Sequence, residues 1–302
     1  MAEKLDLYKI FCQVARHGSF TRAAQALYMS QSAVSQAILN LESELGVQLF
    51  NRTPRGVTLT PEGSLLLEYA QSALSLIEAG EQKLAEFVNI SVGELKIGVG
   101  DTISKYFLLP FLETFHIQYP TINFKIINGT TPEICTLVKT GKLDLGLCNF
   151  PIHDSALQRI PCLEVRDIFV CGYQYRFLSQ QKTSLEELVR YPLIMLEPGS
   201  NSRKYVEDFL LSRGIRVHPE FELGSHDLLL EFARINLGVA CVTKQFARDY
   251  LEREYVYEIP VVPSIPPRAI GICYLKSVSL SPASARFVEL VAGGDKQIRA
   301  RQ

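Results

Sequence analysis

Residues 20–38 read FTRAAQALYMSQSAVSQAI. Arg22 is the only charged side chain in this stretch, and Ser, Gln and Ala dominate it. Ser19 or Thr21 can cap a short helix that runs to Leu27. Ser30 can cap a second helix that carries Val34, Ile38, Leu41 and Leu45 along one face and ends at Gly46. Two helices joined this closely form either an ordinary helical hairpin or a helix-turn-helix. In the second case the first turns of the later helix enter a major groove. Short side chains suit that position, because they let the helix come close, hydrogen-bond base edges and touch thymine methyls. Ala23, Ala24 and Ala33 leave room for a tight crossing of the two helices.

On the N-terminal side, Leu5, Leu7, Ile10, Phe11 and Val14 repeat at helical spacing, so a first helix is expected over residues 4–16. On the C-terminal side, VQLFNRTPRGVTLT places a Pro and a Gly between two β-rich runs and reads as a hairpin, or wing. Thr60 and Pro61 then open a helix that continues to about Asn89. Leu66, Ala70, Ala73, Ile77, Gly80, Leu84 and Phe87 follow alternating steps of four and three, the seam of a coiled coil. The competing reading is a helix lying on its own domain.

From Val92 the texture changes. GELKIGVG, INFKIIN, LDLGLCNF, RDIFVCGY, YPLIMLE, PEFELG, GVACVT and PRAIGICYL are strand-like, with amphipathic segments between most of them. This alternation indicates an α/β fold with a largely parallel sheet. Two α/β subdomains are expected, with the chain crossing between them near residues 163–165 and 262–267.

The composition sets bounds on function. The 302 residues are 47% hydrophobic, enough for more than one core, and the net charge of −1 gives no general affinity for nucleic acid. The first 60 residues carry six Lys and Arg against four Asp and Glu, a bias of only +2. DNA affinity would therefore lean on dimerisation and neutral donors as well as on cations. The N-terminus is charged and then amphipathic, and no apolar run reaches the roughly 18 residues of a membrane span, so no membrane partner and a cytoplasmic location are expected. Seven cysteines without a C-x-x-C pair suggest neither a zinc site nor a disulfide framework. A redox pair of Cys162 and Cys171 is disfavoured by the strand-like run around Cys171. With no G-x-S-x-G, H-E-x-x-H or Gly-rich phosphate loop, neither catalysis nor a cofactor is expected.

Residues 11–70, FCQVARHGSFTRAAQALYMSQSAVSQAILNLESELGVQLFNRTPRGVTLTPEGSLLLEYA, resemble the N-terminal region of LysR-type transcriptional regulators along their whole length. GSFTRAAQAL, SQSAVSQAI with NLE, LG, LF and R behind it, and LTPEG carry the match. GELKIGVG, LLPFLETFHIQYP, GKLDLGL, EPGSNSRKYVE and LGSHDLLLEFARINLGVA extend it across the remainder. The resemblance implies a winged helix-turn-helix over 1–60 and a dimerising linker helix over 61–90. It implies a periplasmic-binding-protein-like effector domain over 91–302, its subdomains spanning 91–163 with 268–302, and 164–267. Ser32, Ala33, Ser35 and Gln36 would face bases or phosphates, Thr21 and Arg52 phosphates, and Arg55 would lie on the wing. Asn40 stands where many members carry Arg. The implied partners are double-stranded DNA, a second or further copies in a homodimer or homotetramer, RNA polymerase and a small metabolite. A small-molecule carrier without DNA function is the alternative reading.

The metabolite would sit where helix N-termini follow the carboxyl ends of strands. Asp101 and Thr102, Thr130 and Thr131, Ser200 and Arg203, and Ser225 and His226 mark four such ends, with Asn149 completing the set. A carboxylate is expected, Arg203 being its cation unless it pairs with Glu207. Many members have Ser or Thr at or beside Asp101, so an amine on the ligand is the alternative if Asp101 faces it. Asn201 occupies the position at which the peroxide-sensing branch carries its reactive Cys, so no thiol switch of that kind is expected.

Overall fold

The computed structural model describes residues 2–53, 56–88 and 93–293 of the 302. Two compact units divide them, one comprising the residues up to Val88 with Thr140–Lys142, the other the remaining residues from Gly93 onward.

The first unit packs helices Ala2–His17, Phe20–Ala26 and Gln31–Leu45 around one core, closed by the hairpin Phe50–Thr53 and Gly56–Leu59. Ser19 Oγ accepts from the Arg22 N–H and so caps the second helix; Thr21 does not cap it. Ser30 Oγ accepts from the Ala33 N–H at 3.2 Å and caps the third helix, which ends at Gly46 in the left-handed region. Phe11, Val14, Ala23, Val34, Ile38 and Leu41 are fully buried. Each large side chain of this set contributes roughly 1.5–3 kcal/mol. A helix of 7 residues is too short to persist alone, so this shared layer holds Phe20–Ala26 in place. Ala23 and Ala24 lie in the crossing as expected, but Ala33 is exposed and takes no part in it.

Helix Pro61–Val88 has 28 residues. Thr60 Oγ1 accepts from the Gly63 N–H and donates to the Gln48 carbonyl, which pins its start. Gly63 is required there, since a Cβ would lie 2.1 Å from the Leu49 carbonyl oxygen. Leu66 and Ala70, assigned above to an intermolecular seam, pack into the core of their own unit. Ile77 and Leu84 remain exposed at 42% and 67%. The side chain of Phe87 lies outside the described residues.

The second unit contains two five-stranded sheets of the same topology. In the first, the order is Asn123–Asn128, Glu94–Val99, Leu145–Asn149, Arg268–Leu275 and Leu157–Val165; in the second, Phe221–Leu223, Leu193–Leu196, Val239–Thr243, Asp167–Cys171 and Tyr257–Ile259. The first three strands of each run parallel and the last two pairings are antiparallel, so the sheets are mixed rather than largely parallel. Strand Leu157–Val165 is absent from the sequence-based expectation. It carries Pro161, which a sheet tolerates only at an edge or bulge, and it is an edge strand whose register shifts beside that residue. Among the described residues no helix is long and apolar enough to cross a membrane.

In both sheets the helices that matter start where parallel strands end. Helical backbone begins at Asp101 after Glu94–Val99, passes through a π-helical turn at Ser104–Leu108 and continues as Leu109–Gln118. Thr131–Lys139 follows Asn123–Asn128, Asn201–Leu211 follows Leu193–Leu196, and His226–Arg234 follows Phe221–Leu223. All four open toward one cleft between the sheets.

Candidate functional site

Two surfaces have the chemistry expected of functional sites. The first is the N-terminal half of helix Gln31–Leu45. Ser32, Ala33 and Gln36 are exposed there, Ser35 is half-buried, and Thr21 is exposed on the preceding helix. Ser32 Oγ lies 3.0 Å from the capping Ser30 Oγ. Gln36 Nε2 donates to Asn40 Oδ1 at 2.9 Å, so Asn40 orients the Gln36 amide. Arg52 stands in strand Phe50–Thr53, its side chain outside the description, and Arg55 lies outside the described residues.

The second surface is the cleft, with a volume of about 410 Å³, within the range of small-molecule sites. Asp101, Thr102, Thr130, Thr131, Asn149, Ser200 and His226 all line it. Two expected residues do not. Arg203 turns away: its guanidinium pairs with Glu207 and Glu222, each at 2.7 Å, and donates to the Leu196 carbonyl. The Glu207 partner was foreseeable one helical turn on, but Glu222 lies on a neighbouring strand and carries no local signal. Ser225 is also outside the lining, and its side chain makes no capping bond, although Gly224 and His226 on either side face the cleft.

The lining residues are already held by specific bonds. Glu133 accepts from the Thr130 N–H and hydroxyl, both at 2.7 Å, and these donors hold its carboxyl below the usual carboxylate range. One of the four helix ends is therefore capped by the protein's own anion. Asn128 Nδ2 donates to Asp101. Asn201 Nδ2 reaches across from the second subdomain to the Asn149 carbonyl at 2.6 Å. Lys105 Nζ and the Tyr106 hydroxyl, on the π-helical turn, both reach Asp227 on helix His226–Arg234. Such bridges join the subdomains on two sides of the cavity.

His226 is the most constrained of these residues. It is 3% exposed, and the rings of Tyr106 and Phe246 pack edge-on against it. Its Nε2 accepts from the Thr243 N–H at 2.9 Å, which assigns the proton to Nδ1. Among the described residues Nδ1 has no hydrogen-bond partner. Burial lowers its pKa to about 4, so the ring is neutral near pH 7.

The sequence marks Asp101 as an acidic group in the cleft but not Glu133 or Glu197. Asp101, Glu133 and Glu197 line it, and among the described lining residues there is no Lys or Arg. Glu197 follows a strand, Thr243 ends one, and neither carries a spacing signal. Cys162 and Cys171 belong to separate cores, and burial pushes both thiols up, Cys171 to about 12.

Comparison with known proteins fits this architecture. The model of the LysR substrate binding domain matches residues 90–295, and that of the bacterial regulatory helix-turn-helix protein, lysR family, matches residues 5–64. The chain belongs to the LysR family. It is a LysR-type transcriptional regulator with a helix-turn-helix DNA-binding domain and an effector-binding domain. The HTH-type transcriptional regulator CysL of Bacillus subtilis is 30% identical over 82% of this chain and 84% of its own length. A full-length OxyR variant of Pseudomonas aeruginosa superposes with a TM-score of 0.63 at 23% identity, covering 96% of this chain and 93% of that one. CbnR complexed with its target DNA gives 0.62 at 21% identity, covering 95% and 98%. These two structures share the fold of this LysR-family chain.

Proposed function

We propose that this LysR-type regulator binds promoter DNA as a dimer or tetramer and changes its contacts when a small cationic or zwitterionic metabolite enters the cleft. The observation that carries the ligand class is the lining itself, three carboxylates with no Lys or Arg among the described lining residues, set beside the unpartnered Nδ1–H of His226. A simple di-anion would meet Asp101, Glu133 and Glu197 without a compensating cation. An amine satisfies them, and an acceptor atom of the same molecule would accept hydrogen bonds from His226 Nδ1–H and helix N–H groups. Ser32, Ala33, Ser35 and Gln36 supply base and phosphate contacts, supported by the exposure of Ser32, Ala33 and Gln36 and the rigid capping at Ser30. Exposed Ile77 and Leu84 support self-association. RNA polymerase is the partner through which occupancy would reach transcription, in the cytoplasm.

The test is a thermal-shift screen of the full chain against amines, amino acids and dicarboxylates, followed by mobility shifts on its own upstream DNA. Amine-bearing compounds are expected to raise the melting temperature, since a ligand that binds only the native state stabilises it. They should also alter the DNA complex, and Glu197→Gln should weaken them. Stabilisation by dicarboxylates alone would refute the ligand class. Absence of any specific shift would favour a carrier without DNA function.

A further inference from the structure

Cys135, Cys148 and Cys273 come from one helix and two strands, and their sulfurs all lie within 4.8 Å of one another. On the antiparallel pair Leu145–Asn149 and Arg268–Leu275, Cys148 stands opposite Gly271 and Cys273 opposite Gly146. The two thiols are therefore diagonal neighbours on one face, 3.8 Å apart. Helix Thr131–Lys139 brings Cys135 onto the same point. Gly146 makes the convergence possible, because a Cβ there would meet Cys273 Sγ at 2.8 Å and Cys148 Sγ at 3.4 Å. Ile134, Val138, Leu143, Ile152 and Leu157 enclose the three thiols in an apolar shell. No His, Asp or Glu joins the group among the described residues.

We propose that these three cysteines form a binding site for a trivalent, thiophilic metalloid of the arsenic(III) class. Bonds of about 2.3 Å at near-tetrahedral angles place thiolates about 3.8 Å apart, the separation of Cys148 and Cys273, and Cys135 lies within 4.8 Å of both. Charge then selects the class. Arsenous acid reacts with three thiols by breaking three As–O and three S–H bonds and forming three As–S bonds. Each proton leaves with a hydroxide as water, and no atom is oxidised or reduced. The product is neutral. The same three thiolates around Zn(II) or Cu(I) keep a net negative charge, which an apolar shell penalises. Lys139, one helical turn from Cys135, is already paired with Asp154 at 2.9 Å. Zinc also calls for a fourth ligand that the described residues do not supply. Cys135 keeps 8% exposure, against none for the other two, and would form the first bond.

The site lies directly behind the cleft wall. Cys148 precedes Asn149, and Cys135 stands one turn after Thr131, whose Oγ1 accepts from the Asn149 N–H at 3.3 Å. Drawing the three sulfurs together would move the two elements that carry Thr131 and Asn149. The inference is independent of which metabolite the cleft binds.

Reduced, full-length protein should be mixed with arsenite without oxygen and weighed intact under native conditions. One arsenic, with loss of three hydrogens, is expected. X-ray absorption at the arsenic edge should find three sulfur neighbours. Cys135→Ala should lose the adduct, whereas Cys12→Ser and Cys162→Ala should keep it. Arsenic coordination by two or fewer sulfurs in the parent protein would overturn the site without recourse to a variant. Absence of the adduct, tighter retention of Zn(II) or Cu(I) than of arsenite, or a disulfide among the three would overturn it as well.

Discussion

At His226 one hydrogen bond fixes the tautomer and burial sets a pH dependence. The Thr243 N–H needs an acceptor, and Nε2 supplies it at 2.9 Å. A proton on Nε2 would set two donors against each other in a site with 3% exposure. Burial of the ring holds the folded pKa at about 4, below the ordinary value of 6.5. The unfolded chain takes up this proton first as pH falls. The stabilisation from neutral His226 is thus complete above about pH 6.5 and is lost toward pH 4, at roughly 1.4 kcal/mol per pH unit. Urea unfolding at pH 6.5 and pH 5.0 should show a loss of about 1.5 kcal/mol from this group. His226→Gln should lose less over the same interval by about that amount; equal losses would mean that His226 does not titrate differently on folding. The same residue also explains why the cleft was only partly legible. Its place before DLLLEF marks a helix start, but the orphan Nδ1 depends on Thr243, 17 residues away.

At the scale of elements, periodicity and capping carried most of the information. The helix-turn-helix, the hairpin and the linker helix follow from Ser30, Gly46, Pro61 and the apolar spacing, because caps and amphipathic faces are local. Strand Leu157–Val165 does not follow, because an edge position that tolerates Pro161 exists only once Arg268–Leu275 has returned beside it. Helix Pro61–Val88 divides in the same way. Leu66 and Ala70 are used by their own unit, so of the large seam side chains it is Ile77 and Leu84 that remain exposed for a contact between copies. Ile77→Asp with Leu84→Asp should convert the protein to monomers in light scattering. It should also weaken binding to a two-half-site promoter far more than to a single half-site, since linkage of the sites supplies the effective concentration. An unchanged particle size would place the interface elsewhere.

For the effector-binding unit as a whole, the decisive feature is the ion pair at its two crossovers. Asp167 opens the strand that enters the second subdomain, and Arg268 opens the strand that returns from it. The guanidinium makes two bonds to the Asp167 carboxylate, at 2.6 and 2.8 Å, and others to Asn149 and Thr243. Both side chains are buried, at 1% and 4% exposure. The three partners lie in different strands, up to 119 residues from Arg268, so the cluster ties the hinge to the wall of the cleft. No sequence spacing reveals it. The net value of such a pair is small, because desolvation offsets attraction, but removing one partner strands the other charge. Arg268→Met alone should therefore cost about 3–5 kcal/mol in denaturant unfolding. Arg268→Met with Asp167→Leu should recover much of that loss, because no buried charge is left unpaired. If the pair instead fixes the relative angle of the subdomains, the double variant should fold well yet respond more weakly to the effector, since a ligand can shift an equilibrium only between states whose populations the hinge sets. A double variant as unstable as Arg268→Met would show that the loss comes from packing of the guanidinium and not from its unpaired partner.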